Sequence, residues 1–397
     1  MATQRMIELD VLRGFAVAVM VLVVSPGAWE FTYGPLQHAN WHGWSFADLV
    51  FPDFLFGVGM ALGLTYGRAA DPANAKHAFW IKAVRRAVLL TVLGLALNSL
   101  SIVAIHLGAP TIRPDETPSL RIPGILQRIA LCYLLAVGII TVSARRAANG
   151  QVSANPFAIG AAIAFLLVGY WALMRFVPVP GFGAGNLDQI GNLAAYIDRA
   201  VFTPAHMWNI GSVEWAGPVV YDPEGLLSTL PATANLLFGV IAAGIWRSEH
   251  RARIASLAVV GIILVSAGLA LDGVFPINKK IWTSSFALLT SGISFLALLL
   301  AAAMLRGGPA KFLAAPFKVL GGNAILAFSL SMLLSALAQI PMTSGEGPKT
   351  LQAIGMQTAL TVINDPYLAS FSCAVAVQIF ILLAIWPLHR KGIYLRL

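Results

Sequence analysis

An all-α bundle of membrane-spanning helices is the fold class this sequence predicts, on three observations. Apolar runs close to twenty residues long recur from end to end of the 397 residues, and a helix of that length crosses a bilayer core. Charged residues make up 11% of the chain against 58% hydrophobic, whereas a soluble domain carries roughly a quarter charged. The basic residues also fall unevenly between alternate connections, as the orientation of a polytopic protein requires. Barrel strands would give shorter, alternating segments.

Taken in order, the runs predict about ten spans. Val11–Trp29 is the first. Glu8, Asp10 and Arg13 crowd its start and it leads straight into a polar stretch, so it reads as a retained helix rather than a cleaved signal segment. Ala47–Tyr66, Ala83–His106, Ile122–Val142 and Pro156–Phe176 follow, mostly separated by short turns with Gly or Pro. Val177–Leu226 is too long for a simple connection and is expected to be a functional extracytoplasmic loop. Leu227–Trp246, Ile254–Leu271, Trp282–Met304, Phe317–Gln339 and Ala369–Leu388 complete the set. With the amino terminus in the cytoplasm, 18 of the 26 Lys and Arg and only 4 of the 17 Asp and Glu fall on the cytoplasmic side. Both termini are therefore expected inside. The chain reads as a single transmembrane domain over residues 1–397. Its net charge of +9 is a topology signal before it is a nucleic-acid one, and no nucleic acid is expected as a partner. Cys132 and Cys373 both lie inside predicted spans and say little about redox compartment.

Leu36–Pro52 is the richest polar stretch beside a span. It holds His38, Asn40, Trp41, His42, Trp44 and Asp48. A neutral imidazole takes a proton near pH 7, and an acid beside it fixes its tautomer. The plain alternative is an interfacial loop with an aromatic belt. His38 and His42 are four apart but lack the glutamate of a zinc-protease pattern, and no metal is expected. No nucleotide loop or serine-hydrolase elbow is present.

Five further phrases lie at or in spans, where a buried charge needs a reason. LDVLRG places Asp10 and Arg13 on one helical face, as an ion pair at a helix entrance would be. RIPGILQR carries Arg128 about a turn into the bilayer, where it either snorkels or meets a phosphate or acidic partner. YDPEGLLSTLP offers Asp222 and Glu224, with Trp208, Trp215 and Tyr221 upstream. Rings and carboxylates together suit a polyhydroxylated amine, although an amphipathic helix cap would look alike. FPINKKIWTSS places Asn278, Lys279 and Trp282 at the outer mouth of the eighth span. Asn323, after Gly321-Gly322, is an amide within an apolar run, as suited to interhelical contact as to a ligand.

HANWHGWSFADLVFP, RIPGILQRIALCY, AAYIDR, YDPEGLLSTLP, FPINKKIWTSSF and GGNAILAFSLS together resemble the heparan-α-glucosaminide N-acetyltransferase family, its bacterial members most. LDVLRG is shared more loosely with other membrane acyltransferases. The resemblance implies a multi-pass protein of the bacterial inner membrane. It implies acetyl transfer from acetyl-CoA across the bilayer to the amine of a glucosamine-type amino sugar or glycan. His38 corresponds to the family's active-site histidine and Asp48 to the aspartate of its DLVFP phrase. The family's Asn ahead of this His has no counterpart, because Val23-Val24-Ser25-Pro26 stands there. A supporting amide is then absent or comes from elsewhere, Asn40 being the candidate.

On this reading His38 and Asp48 are catalytic, with His38 either a general base or an acetyl-carrying nucleophile. Trp41, Asp222, Glu224, Asn278, Lys279, Trp282 and Asn323 are the acceptor-side candidates, with Asn278 or Asn323 as oxyanion donor. Arg13, Arg85, Arg86 and Arg128 are the candidates for the CoA phosphates. A homodimer stays open as an assembly. The rival readings are a transporter of amino sugars or small anions, which would show repeated halves with broken helices, and an O-acyltransferase acting on a glycan.

Overall fold

The computed structural model describes residues 6–66, 72–109, 119–146, 152–209, 218–248, 252–308, 310–344 and 347–395. Among the described residues, thirteen α-helices form the bundle. In chain order they are α1 Ile7–Val24, α2 Val50–Tyr66, α3 Pro72–His106, α4 Ile125–Ser143, α5 Pro156–Phe176, α6 Leu193–Phe202 and α7 Thr229–Arg247. There follow α8 Arg253–Ala270, α9 Ser284–Leu305, α10 Ala310–Gly322, α11 Ala324–Ala338, α12 Leu351–Leu360 and α13 Pro366–Arg390. The only strands among the described residues are two small antiparallel ribbons, Ala144–Arg146 with Val152–Ala154 and Pro341–Ser344 with Gly347–Thr350.

Among the described residues, eight helices are long and apolar enough to cross a membrane, and the pair α10–α11 makes a ninth candidate. Helix α1 carries Glu8, Asp10 and Arg13. It is tolerated at the centre because protein surrounds it: α1 packs on α2, α9, α10, α11 and α13. Helix α1, with its three charged residues, is not among these candidates, so the count falls short of the ten expected spans. Two expectations need correction. The first span ends at Val24 rather than Trp29, since Pro26 has no N–H with which to continue the helix. Phe317–Gln339 is not one straight span, because the chain bends by 82° between α10 and α11. Asn323 stands at the bend, and its amide is committed to the backbone of Ile393 and Leu395.

Small residues let the central helices touch backbone to backbone, which replaces the hydrophobic driving force that lipid removes. A Cβ on Gly59 would stand 1.7 Å from the Leu236 carbonyl oxygen, and one on Gly14 1.7 Å from that of Phe317. These two approaches lock α2 against α7 and α1 against α10. The residue 25–49 connection is tied to α12 and α13 through Gln352 and Ser370, which hydrogen-bond the carbonyls of Pro26 and Ala28. The Val177–Leu226 segment contains α6 and joins the α3–α4 connection through Ile122 N and the His206 carbonyl.

Candidate active site

Entry into α2 builds the first half of the site. Ser45 and Asp48 form a capping box around the short 3-10 turn Phe46–Leu49. Ser45 donates from its backbone and its hydroxyl to Asp48 Oδ2, at 2.9 and 3.1 Å, and Ala39 N adds a third donor at 3.1 Å. The other carboxylate oxygen faces His38 Nδ1 at 2.7 Å. One aspartate thus caps a helix and holds an imidazole, with Nδ1–H donating and Nε2 left as the acceptor nitrogen. Asp48 is fully buried, whereas the His38 side chain remains 33% exposed. The aspartate is shielded from water and the imidazole is open to the space beside it.

The second half comes from the turn before α9. Asn278 Oδ1 accepts from Ile281 N, Thr283 Oγ1 accepts from Asn278 N, and Trp282 N donates to the Lys279 carbonyl. Trp282 adopts φ 50°, an unusual backbone for a bulky residue. It is held there by complete burial and by Nε1 donating to Asn235 Oδ1 at 2.9 Å. Gly43 N bonds the Ile277 carbonyl at 2.7 Å and joins this turn to the His38 loop. Lys279 Nζ is thereby placed 3.0 Å from His38 Nδ1, 3.3 Å from Nε2 and 3.3 Å from Asp48 Oδ1. Burial, and next the Lys279 charge, hold the His38 imidazole below its ordinary pKa, and the opposing pull of Asp48 does not offset them. His38 is therefore neutral at pH 7, as a base must be.

A cavity of about 120 Å³ opens beside this pair. His38, Lys279, Glu224 and Arg86 supply its polar atoms, and apolar side chains of α1, α2, α4 and α11, among them Val24, Phe54, Leu126 and Phe328, make most of the rest. Arg86 lies seven residues into the apolar part of α3 from Phe79, about 10 Å along the helix. Its guanidinium stacks over Tyr133, and Nε has no hydrogen-bond partner.

Glu224 and Asp222 share a cation. Arg121 donates to Asp222 Oδ2 at 2.9 Å and Oδ1 at 2.6 Å, and also to Glu224 Oε2. Burial works to raise Glu224, but the charges of Arg121 and Arg128 outweigh it and keep the carboxyl below its usual range. Glu224 reaches the cavity, while Asp222 is buried as the support of Arg121. Burial pushes Asp198 of α6 up to about 7, although it accepts a hydrogen bond from Leu226 N.

The other sequence candidates fall into place around this centre without lining it. Trp41 is buried and donates to the Leu187 carbonyl, stacked edge-on with Tyr221. Trp282 is enclosed by Phe51, Phe286 and the Arg128 guanidinium. Arg128 is itself buried; its Nη2 bonds Gly225 O and Ser228 Oγ, while Nε and Nη1 have no hydrogen-bond partner. Arg13 donates to Gly57 O between α1 and α2, Arg85 is exposed on α3, and Asn323 holds the carboxy-terminal segment. Asn278 supports its own turn and lies 3.4 Å from His42 Nδ1. Asn40 is exposed, and the Ser25 hydroxyl has no partner and lines a separate cavity. Trp215 lies outside the described residues. Arg121 and Asn235 escaped sequence reasoning. Each carries the signal used for Arg128 and Asn323, a polar residue at or in an apolar run. No group of three or more His, Cys, Asp or Glu among the described residues could hold a metal ion.

Residues 5–178 match the family described as heparan-α-glucosaminide N-acetyltransferase, catalytic. The chain is 27% identical over 329 residues to the heparan-α-glucosaminide N-acetyltransferase of Homo sapiens, covering 74% of this chain and 48% of that protein. It is 27% identical over 325 residues to that of Mus musculus, covering 73% and 48%. The chain thus spans about half the length of the curated relatives it matches.

Proposed function

We propose, from the similarity of this chain to the heparan-α-glucosaminide N-acetyltransferase family, that it is a membrane acetyltransferase. It takes the acetyl group of acetyl-CoA from the cytoplasmic side and passes it to the amine of a glucosamine-type sugar on the opposite side. The observation that carries the reading is the cavity. It brings a neutral histidine, open to the acceptor, into one apolar space with an arginine set deeper in the bundle. That space suits the thioester arm of CoA, with Arg86 toward the phosphates.

In the proposed step the neutral sugar amine attacks the thioester carbonyl, and the N–C bond forms as the C–S bond breaks. His38 Nε2 takes the amine proton and passes it to the departing thiolate. Asp48 keeps Nδ1–H in place and stabilises the imidazolium while it exists. Glu224 offers the acceptor ammonium a carboxylate before it loses its proton. The same dyad serves an acetyl-histidine route, in which Nε2 is the nucleophile.

The test incubates purified protein with acetyl-CoA and a panel of amino sugars and neutral glycans, and follows CoA release and product mass. An N-acetylated amino sugar supports the reading. Acetylation of a hydroxyl alone moves the protein to the O-acyltransferases. Solute uptake by vesicles without CoA release makes it a transporter.

A further inference from the structure

The cavity that holds His38 also holds a primary amine belonging to the chain. Lys279 is the only lysine among its lining residues, and its Nζ is 3.3 Å from His38 Nε2. On the proposed function this is the neighbourhood in which an acceptor amine must stand to lose its proton to His38. A nucleophile fixed beside the base that serves it gains the advantage of an intramolecular reaction.

We propose that Lys279 is a self-acetylation site, modified from acetyl-CoA when no acceptor occupies the cavity. The inference rests on the acetyltransferase reading. The ammonium of Lys279, paired with Asp48 at 3.3 Å, is not a nucleophile until it releases one proton to solvent. The resulting amine attacks the thioester carbonyl carbon. The Nζ–C bond forms, the C–S bond breaks, and the second proton passes through His38 Nε2 to the CoA thiolate. The products are N-acetyl-Lys279, CoA thiol and the proton released first. The ion pair makes this slower than transfer to a free acceptor.

Two consequences follow from position. Lys280, next in sequence, is buried and points its ammonium over the Trp208 ring at 4.5 Å, so it is expected to escape. Acetylation of Lys279 removes the positive charge beside Asp48 and fills the acceptor place with an amide. A chain held with acetyl-CoA and no acceptor therefore loses activity with time.

The experiment holds the purified full chain with saturating acetyl-CoA, with and without glucosamine. It maps acetylated lysines by peptide mass while CoA release with glucosamine is measured in parallel. The expected result is acetyl on Lys279 at least tenfold above Lys280, suppressed by glucosamine and lost in His38→Ala. Lys279→Arg, which keeps the charge, should accept no acetyl group there. CoA release with glucosamine but an unmodified Lys279 overturns the proposal and leaves the activity standing. Equal labelling of Lys279 and Lys280, indifferent to glucosamine, also overturns it as adventitious chemistry. No CoA release with any amino sugar sinks the activity, and the proposal with it.

Discussion

Two buried polar clusters stand close together in this bundle and differ in one respect. Around Asn235, every side-chain atom is used: Nδ2 donates to Ala287 O, Thr290 Oγ1 and Ser291 Oγ, and Oδ1 accepts from Trp282. Around His38, the inner member Asp48 is equally saturated, but His38 Nε2 faces the Lys279 ammonium at 3.3 Å and a third of the side chain stays exposed beside a cavity. The first cluster joins α7 to α9, as amides do between membrane helices. The second opens on a space where a ligand fits. Residue type does not separate structure from chemistry here, whereas exposure at a cavity does.

The largest effect that would break this contrast is at Asp48. Asp48→Asn removes the carboxylate that orients the imidazole, and turnover should fall by roughly 10²–10⁴ while acetyl-CoA still protects the fold against heating. Unchanged turnover would return Asp48 to a capping role alone. Arg86→Ala comes next: loss of a charge-assisted contact costs about 1.5–3 kcal/mol, so KM for acetyl-CoA should rise about tenfold or more with the acceptor KM unmoved. An equal rise in both would place Arg86 outside the CoA path.

Lys279 sharpens the contrast through pH. A base acts unprotonated, so activity should rise with pH through a His38 pKa below the ordinary value of about 6.5. Burial lowers that pKa most and the Lys279 charge next. Lys279→Met should therefore move the acidic limb toward higher pH, with the loss greatest at low pH. A uniform loss at all pH values would contradict this electrostatic role. The smallest effect on turnover belongs to the closed cluster. Asn235→Ala should lower stability by about 1–3 kcal/mol, the cost of stranding buried partners, with turnover per folded molecule within a few-fold of the parent.

Much of this was legible in the sequence, and for particular reasons. The apolar runs gave the spans because bilayer thickness leaves helices little freedom. His38 and Asp48 were legible because their contact is local, ten residues apart and built on a helix cap. Lys279 was named for its phrase, but its contact with His38 joins residues 241 apart and depends on how the helices pack. The α10–α11 bend was missed because Asn323 owes its place to the carboxy-terminal segment, a tertiary partner that hydropathy does not register. Trp41 and Trp282 look alike as aromatic platforms on paper. Their indoles point inward because Leu187 O and Asn235 Oδ1 accept from them.

The central claim is that His38 is the base of an acetyl transfer, and a pair of neighbouring substitutions tests it most directly. Turnover of acetyl-CoA with the best acceptor found is measured for His38→Ala and His42→Ala, each shown by thermal protection to bind acetyl-CoA. The account predicts a fall of roughly 10²–10⁴ for His38→Ala and most of the activity retained for His42→Ala, whose ring meets Asn278 at 3.4 Å and the Trp41 ring edge-on. Near-normal turnover in His38→Ala, or the greater loss in His42→Ala, would contradict it.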